Sequence, residues 1–211
     1  VVSLVCIVHG DIYERYAADL LRDAQTNFLP GKSEIKQLPG RAGWPYGSAS
    51  RYGVLLEHFD RLHGDHIFLI DADMRMPGMI GEEILCDGIT VTTHPGVHPD
   101  SDPRGWPYER NPASSAYVEP GREGRQYFPG CFVGGTRAAF HELAVAIDAA
   151  VEDDFVRGVP AVWYEESHLN RRYIDHPPSL ILDHRYCGWG LNSGGLLEHL
   201  NKTTEEFENR G

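Results

Sequence analysis

His66-Ile67-Phe68-Leu69-Ile70-Asp71-Ala72-Asp73-Met74 decides the architecture of this 211-residue chain. An apolar run without alternation reads as a strand buried on both faces, the kind found in sheets covered by helices. Here the run ends abruptly in two carboxylates one residue apart. Working outward, Val1–Val8 is a second such run and Ile89–Thr93 a third, with shorter strands at Phe132–Gly134 and Leu180–Leu182. Helical patterns lie between them. Ile12, Tyr16 and Leu20 share one face of a helix over Ile12–Phe28, and Tyr52, Leu55, Leu56 and Phe59 stripe another over Tyr46–Leu62. Thr136 is placed to cap a helix on which Phe140, Leu143, Ala144, Ile147 and Val151 recur. A further helix is expected over Ala161–Tyr173, and a polar one at the C-terminus. The alternation predicts one α/β layered domain over residues 1–211. Lys32–Trp44 carries chain breakers and no recognisable strand.

Nineteen basic residues against thirty-one acidic ones give a net charge of −12. Such a surface repels a phosphate backbone, so a nucleic-acid partner is not expected. Cys6, Cys86, Cys131 and Cys187 lie at least 45 residues apart with no CxxC pair. That spacing predicts free core thiols rather than a disulfide framework or a structural zinc site. Seven of the fourteen prolines fall between Pro95 and Pro129. A loop of that length inside a compact domain is either functional or disordered.

The acid pair carries the first chemical signal. In open α/β sheets ligands collect beyond the carboxyl ends of strands, where Asp71 and Asp73 fall. Hard divalent cations take oxygen ligands and bridge carboxylates to substrate phosphates; the plain alternative is a turn with solvated acids. Glu165 and Glu166, after Pro160, read either as acids favourably placed in a first helical turn or as site carboxylates. Trp163 beside them is a core residue or a wall for a sugar ring. His94 and His98 flank Pro95-Gly96, which forbids a helical metal pair, so a hydrogen-bonding His in a substrate loop is the better reading. Gly130 and Gly134-Gly135 bracket Cys131-Phe132-Val133, either to let backbone approach a ligand or to end a strand.

Taken in order, HIFLIDADM, THPG, YERNPASSAYV, YFPGCFVGG and AVWYEESHLNRRY resemble glycosyltransferase family 6, which includes the histo-blood-group transferases and α-1,3-galactosyltransferases. The likeness covers most of Trp44–Tyr186. It implies a GT-A fold, a Rossmann-like nucleotide-sugar-binding sheet flanked by helices. It also implies retaining α-1,3 transfer of galactose or N-acetylgalactosamine from a UDP-sugar to an oligosaccharide acceptor, a fucosylated galactoside being one candidate. By position, Asp71 and Asp73 match the pair holding Mn²⁺ (or Mg²⁺), with Ala72 between them on the donor side. Glu166 matches the acid under the anomeric carbon, as nucleophile or as stabiliser of an oxocarbenium-like state. Glu165, Arg51 and Tyr13 match donor contacts, Tyr13 on the uracil. Pro129, Gly130 and Cys131 match the donor-selecting segment, and His94 and Trp163 match acceptor contacts.

The chain departs from the family in four places. The segment between Lys32 and Trp44 is short, and Cys187-Gly188-Trp189-Gly190 lacks an acceptor-binding Asp. Pro129 and Cys131 fit neither blood-group pattern, and only Lys202 and Arg210 stand for the basic tail. The alternatives to a transferase are a non-catalytic carbohydrate-binding relative and another metal-dependent nucleotide-processing enzyme. With no apolar run of the roughly 18 residues that span a membrane, a soluble, microbial-type enzyme of the cytoplasm is expected rather than one of the Golgi lumen.

Overall fold

The apolar run that opens the sequence argument is strand β3 (His66–Ile70), with β1 (Val2–Val8) parallel on one side and β6 (Phe132–Thr136) antiparallel on the other. The computed structural model describes residues 1–41, 45–98 and 100–200. Among these, β2 (Ser33–Pro39), β5 (Ile89–Thr92) and β7 (Leu180–Leu182) complete a six-stranded sheet in the order β2-β1-β3-β6-β5-β7. Gly134 stands opposite Phe68 in the register, and a Cβ there would run into the Phe68 ring. That contact gives one of the two adjacent glycines a packing reason.

Alternate residues of the strands feed two different cores. Leu4, Cys6, Phe68, Ile70 and Phe132 pack beneath α1 (Gly10–Asn27), which contributes Ala17, Leu20 and Ala24. Val5, Ile67, Leu69 and Val133 face the other way, onto α3 (Arg51–Glu57), α4 (Arg137–Val156) and α5 (Tyr164–Asp175). On that side Leu55, Phe140, Leu143, Ile147 and Leu169 complete the layer. Helices on both faces explain why the strands carry no polar alternation.

Three expectations need correction. The segment 33–39, expected to hold no strand, is the edge strand β2, paired with β1 over all seven residues. Its residues are mostly half-exposed, so polar side chains are tolerated, and Pro39 sits where an edge needs no N–H. The single helix expected over 46–62 is instead α2 (Tyr46–Ala49), α3 and a 3₁₀ turn (Phe59–Arg61), broken at Ser50 and His58, where ψ is near zero. The helix expected from Ala161 starts at Tyr164, whose φ of 47° forms a left-handed step just before the two glutamates. Such a conformation in a bulky residue is strained and is typical of functional sites. After β7 the chain forms a 3₁₀ turn (His184–Cys187) and then β8 (Glu198–His199); the polar helix expected at the C-terminus falls on residues 201–211, which lie outside the described residues.

The remaining elements close over the acid pair. Strand β8 pairs antiparallel with β4 (Met74–Arg75), placing His199 opposite Met74, and Leu200 N–H donates to Asp73 O at 2.9 Å. The proline-rich loop is built around its own small core of Trp106, Tyr108, Val118 and Tyr127. Thr136 caps α4 as expected, its Oγ1 accepting from Ala139 N–H at 3.3 Å. No helix of the described residues is long and apolar enough to cross a membrane.

Candidate active site

Where β3 ends, Asp71 N–H still donates to Cys131 O at 3.0 Å, so the acid pair leaves the sheet with its backbone anchored. Arg51, at the first position of α3, is buried against it. Its guanidinium donates to Asp71 Oδ1 and to Gly130 O, and its Nε lies 3.6 Å from Glu165 Oε1. One fixed cation thus ties together the ends of β3, the segment before β6 and the start of α5. A Cβ on Gly130 would stand 3.4 Å from the Arg51 guanidinium and 3.6 Å from Glu165 Oε1, so glycine keeps this junction tight.

Glu165 and Glu166 point in different directions from the first turn of α5. Burial lifts the Glu165 carboxyl to about 7 against the pull of Arg51, with the charges of Asp71 and Glu166 adding to the rise. Glu166 Oε2 accepts from Gly130 N–H at 2.9 Å and Oε1 from the Tyr127 hydroxyl at 3.0 Å. Burial raises the Glu166 pKa as well, while those two hydrogen bonds hold it down. Asn170, one turn later, clamps the loop: it accepts from Phe128 N–H and donates to Phe128 O, both at 2.8 Å. The (i, i+4) spacing of Glu166 and Asn170 is what lets one helix face hold both the carboxylate and the loop beside it.

Three neighbouring cavities meet at these acids. The first, about 340 Å³, is lined by His9, Tyr13, Arg51, Ala72, Asp73 and Glu165 among others. His9 stacks on Tyr13 with ring centroids 4.6 Å apart. The second, about 480 Å³, is bounded by Asp71, Asp73, Pro129, Cys131, Glu166 and His199. The third, about 600 Å³, is a groove under the proline-rich loop, with His94, Trp163 and Trp189 on its walls and Glu166 at its floor. Asp71, Asp73, Glu165 and His199 are common to the first two, and Glu166, His94 and Trp189 to the last two. A centre of buried acids thus lies between an aromatic groove on one side and a polar pocket holding Arg51 and Tyr13 on the other, with space for a ligand on each.

A family model for glycosyltransferase family 6 matches residues 40–203. The chain belongs to glycosyltransferase family 6. The family's fold is of the GT-A type, in keeping with the sheet and flanking helices described above. Among its relatives, histo-blood group ABO system transferase 2 of Rattus norvegicus is 35% identical over 185 residues, 77% of this chain and 54% of its own. Globoside alpha-1,3-N-acetylgalactosaminyltransferase 1 of Canis lupus familiaris is 37% identical over 147 residues, 68% of this chain and 41% of its own. Alpha-1,3-galactosyltransferase 2 of Homo sapiens is 26% identical over 226 residues, 93% of this chain and 65% of its own. The chain therefore spans about half the length of the curated family 6 relatives it matches.

The structure brings together the twelve residues matched above to metal, donor, acceptor and catalytic positions. Asp71, Asp73, Glu165, Glu166, Pro129, Gly130, Cys131 and His94 share the central cavity, Tyr13, Arg51 and Ala72 the first, and Trp163 the first and third. His98 lies exposed in the loop, away from these walls. Burial, then the charge of His199, hold the His94 pKa down to about 4, and His94 Nδ1 accepts from Gly96 N–H at 3.0 Å. The neutral ring therefore keeps its proton on Nε2 as a donor. Trp44, Lys202 and Arg210 fall outside the described residues.

Three site residues escaped the sequence reading: Tyr127, Trp189 as a groove wall, and His199. Burial opposes the His199 imidazolium. The bond to Cys131, with the charges of Cys131, Asp73 and Asp71, outweighs burial and lifts the pKa to about 9. Only the strand that returns to Asp73 brings His199 here, and nothing in its local pattern signals that.

Proposed function

We propose that residues 1–211 act as a single catalytic unit, a retaining α-1,3-glycosyltransferase that moves galactose or N-acetylgalactosamine from a UDP-sugar to an oligosaccharide acceptor. The observation that carries this reading is the position of Glu166, at the boundary between the central cavity and the aromatic groove. The first cavity suits the nucleotide, with Tyr13 offering a ring to the uracil and Arg51 a charge to the diphosphate side. The central cavity takes the donor sugar, and Glu165 accepts its hydroxyls. The groove of His94, Trp163 and Trp189 takes the acceptor, because flat apolar sugar faces pack on aromatic rings while His94 Nε2–H donates to a hydroxyl.

Asp71 and Asp73 fit a divalent cation. Both offer hard oxygen donors into the wall common to the nucleotide and sugar cavities, and Mn²⁺- or Mg²⁺-type ions normally complete their shell with water and substrate phosphates. A cation held there offsets the negative charge that develops on the departing diphosphate. Glu166, fixed by Gly130 N–H and Tyr127, supplies negative charge beside the anomeric carbon, as nucleophile or as stabiliser, in the manner of retaining glycosidases. The acceptor hydroxyl then gives its proton to the leaving UDP oxygen, so no second carboxylate is needed.

UDP release over a panel of UDP-sugars tests this directly. Turnover is expected with UDP-galactose or UDP-N-acetylgalactosamine in the presence of Mn²⁺, falling to background with EDTA. Release of pyrophosphate or inorganic phosphate instead would favour the nucleotide-processing alternative.

The pH profile gives a second test. Glu166 works ionised, and burial raises its pKa, so kcat is expected to fall as pH drops through a value above the usual carboxylate range. Tyr127→Phe removes a hydrogen bond to the charged form, worth about 1.5–3 kcal/mol. The acid limb of kcat should therefore move up by about one to two pH units. An unmoved limb would detach Tyr127 from the carboxylate that governs turnover.

A further inference from the structure

Cys131 and Cys187 stand 56 residues apart in sequence, yet their sulfurs lie 2.8 Å apart, and neither forms a disulfide. His199 Nε2 lies 3.4 Å from Cys187 Sγ, and the three ligand atoms are all within 4.8 Å of one another. All three residues line the central cavity. Sugar transfer as proposed above gives Cys187 and His199 no task, and paired thiols are poor partners for sugar hydroxyls.

We infer that Cys131, Cys187 and His199 form a soft-cation site that takes Zn²⁺, beside and distinct from the oxygen donors of Asp71 and Asp73. Two sulfurs and an imidazole select zinc over manganese or magnesium, whose preference is for oxygen. Tetrahedral zinc, with bonds of about 2.3 Å to sulfur and about 2.0–2.1 Å to nitrogen, spaces neighbouring ligand atoms about 3.4–3.8 Å apart. The sulfur–nitrogen pair already has that spacing, and the two sulfurs need to open by about 1 Å, which rotation about their single χ angles supplies. Among the described residues the cluster offers three ligands, which leaves a fourth position for water or substrate, so the site is open rather than closed. On binding, each thiol gives its proton to solvent and His199 coordinates as neutral imidazole, so the ion displaces protons without any redox change. An ion at this position occupies part of the cavity assigned above to the donor sugar. Zinc should therefore weaken donor binding in a way that added Mn²⁺ does not relieve.

Titrating the reduced full chain with Co²⁺, read as the near-ultraviolet sulfur-to-cobalt band, tests the site without reference to turnover. The band is expected to saturate at one equivalent, to vanish on adding Zn²⁺ and to persist in excess Mn²⁺. Cys187→Ala should abolish it and Cys86→Ala should leave it intact. Cys187 is buried, so a measurement on the unaltered protein stands beside the variant: Zn²⁺ should protect Cys131 and Cys187, but not Cys86, from alkylation followed by peptide mass spectrometry. Absence of the band, its survival in folded Cys187→Ala, or alkylation indifferent to Zn²⁺ would overturn the site.

Discussion

Glu166→Gln is expected to lower kcat by at least about 10²-fold, the scale on which one preorganised electrostatic group acts in a transition state, while UDP affinity stays within about twofold. The substitution keeps the shape of the side chain and removes only its charge. Gly130 N–H can still donate to the amide oxygen, while the Tyr127 hydroxyl turns to accept from the amide nitrogen, so the loop that Asn170 clamps to α5 should keep its place. Glu166 lines the sugar cavity and the groove but not the nucleotide cavity, which is why nucleotide binding should be spared. Steady-state UDP release together with calorimetric UDP titration separates the two effects. Wild-type turnover in the variant would remove Glu166 from the chemistry.

The second large effect is on the fold itself. Arg51→Ala removes the cation that faces Asp71 and Glu165 in the interior and that holds Gly130 O. Breaking a buried charge pair from one side costs about 3–5 kcal/mol, and in a domain of this size that lowers Tm by roughly 6–20 °C. The sign with pH follows from the carboxylates left behind. Burial raises the Glu165 pKa to about 7, and Arg51 is the largest influence holding it down. Without it the folded-state value rises further above the unfolded one, so the variant is least impaired below the unfolded pKa. Its deficit deepens as pH rises through the new folded value. Melting curves at pH 5 and pH 8 should show the larger loss at pH 8. Arg51→Lys keeps the charge but not the fork that reaches Asp71 and Gly130 together, and should fall between the two.

The readable parts of the sequence were those with strong local physics. An unbroken apolar run reads as a doubly covered strand, and the two acids at its end fall where such sheets collect ligands. Four of the five strands expected are found within one residue of their bounds; the fifth, β6, runs two residues longer. β2 was hidden because an edge strand with half-exposed residues has neither alternation nor a continuous apolar run. The single helix over 46–62 looked intact because its stripe of Tyr52, Leu55 and Phe59 survives in pieces that turn at Ser50 and His58. At the site, acids and aromatics inside motifs were legible. Tyr127 and His199 were not, since a hydroxyl aimed at Glu166 and a strand that returns to Asp73 are products of long-range pairing. The meeting of Cys131 with Cys187 is of the same kind: all four cysteines are free and three of them buried, but spacing along the chain cannot show that two of them touch.

The proline-rich stretch between Pro95 and Pro129 is a further instance. Its composition alone allowed either order or disorder. Trp106, Tyr108, Val118 and Tyr127 give it a core, and Arg110 fixes its turn through Glu123 and Val118 O, both at 2.7 Å. That ordered loop roofs the groove assigned to the acceptor and delivers Tyr127 to Glu166.

The most direct test of the proposed transfer is the anomeric configuration of its product. With UDP-galactose or UDP-N-acetylgalactosamine, Mn²⁺ and a fucosylated galactoside, proton NMR should show an α-linked sugar accumulating in step with UDP. A β-linked product, or no glycoside formed at saturating donor and acceptor, would contradict the account.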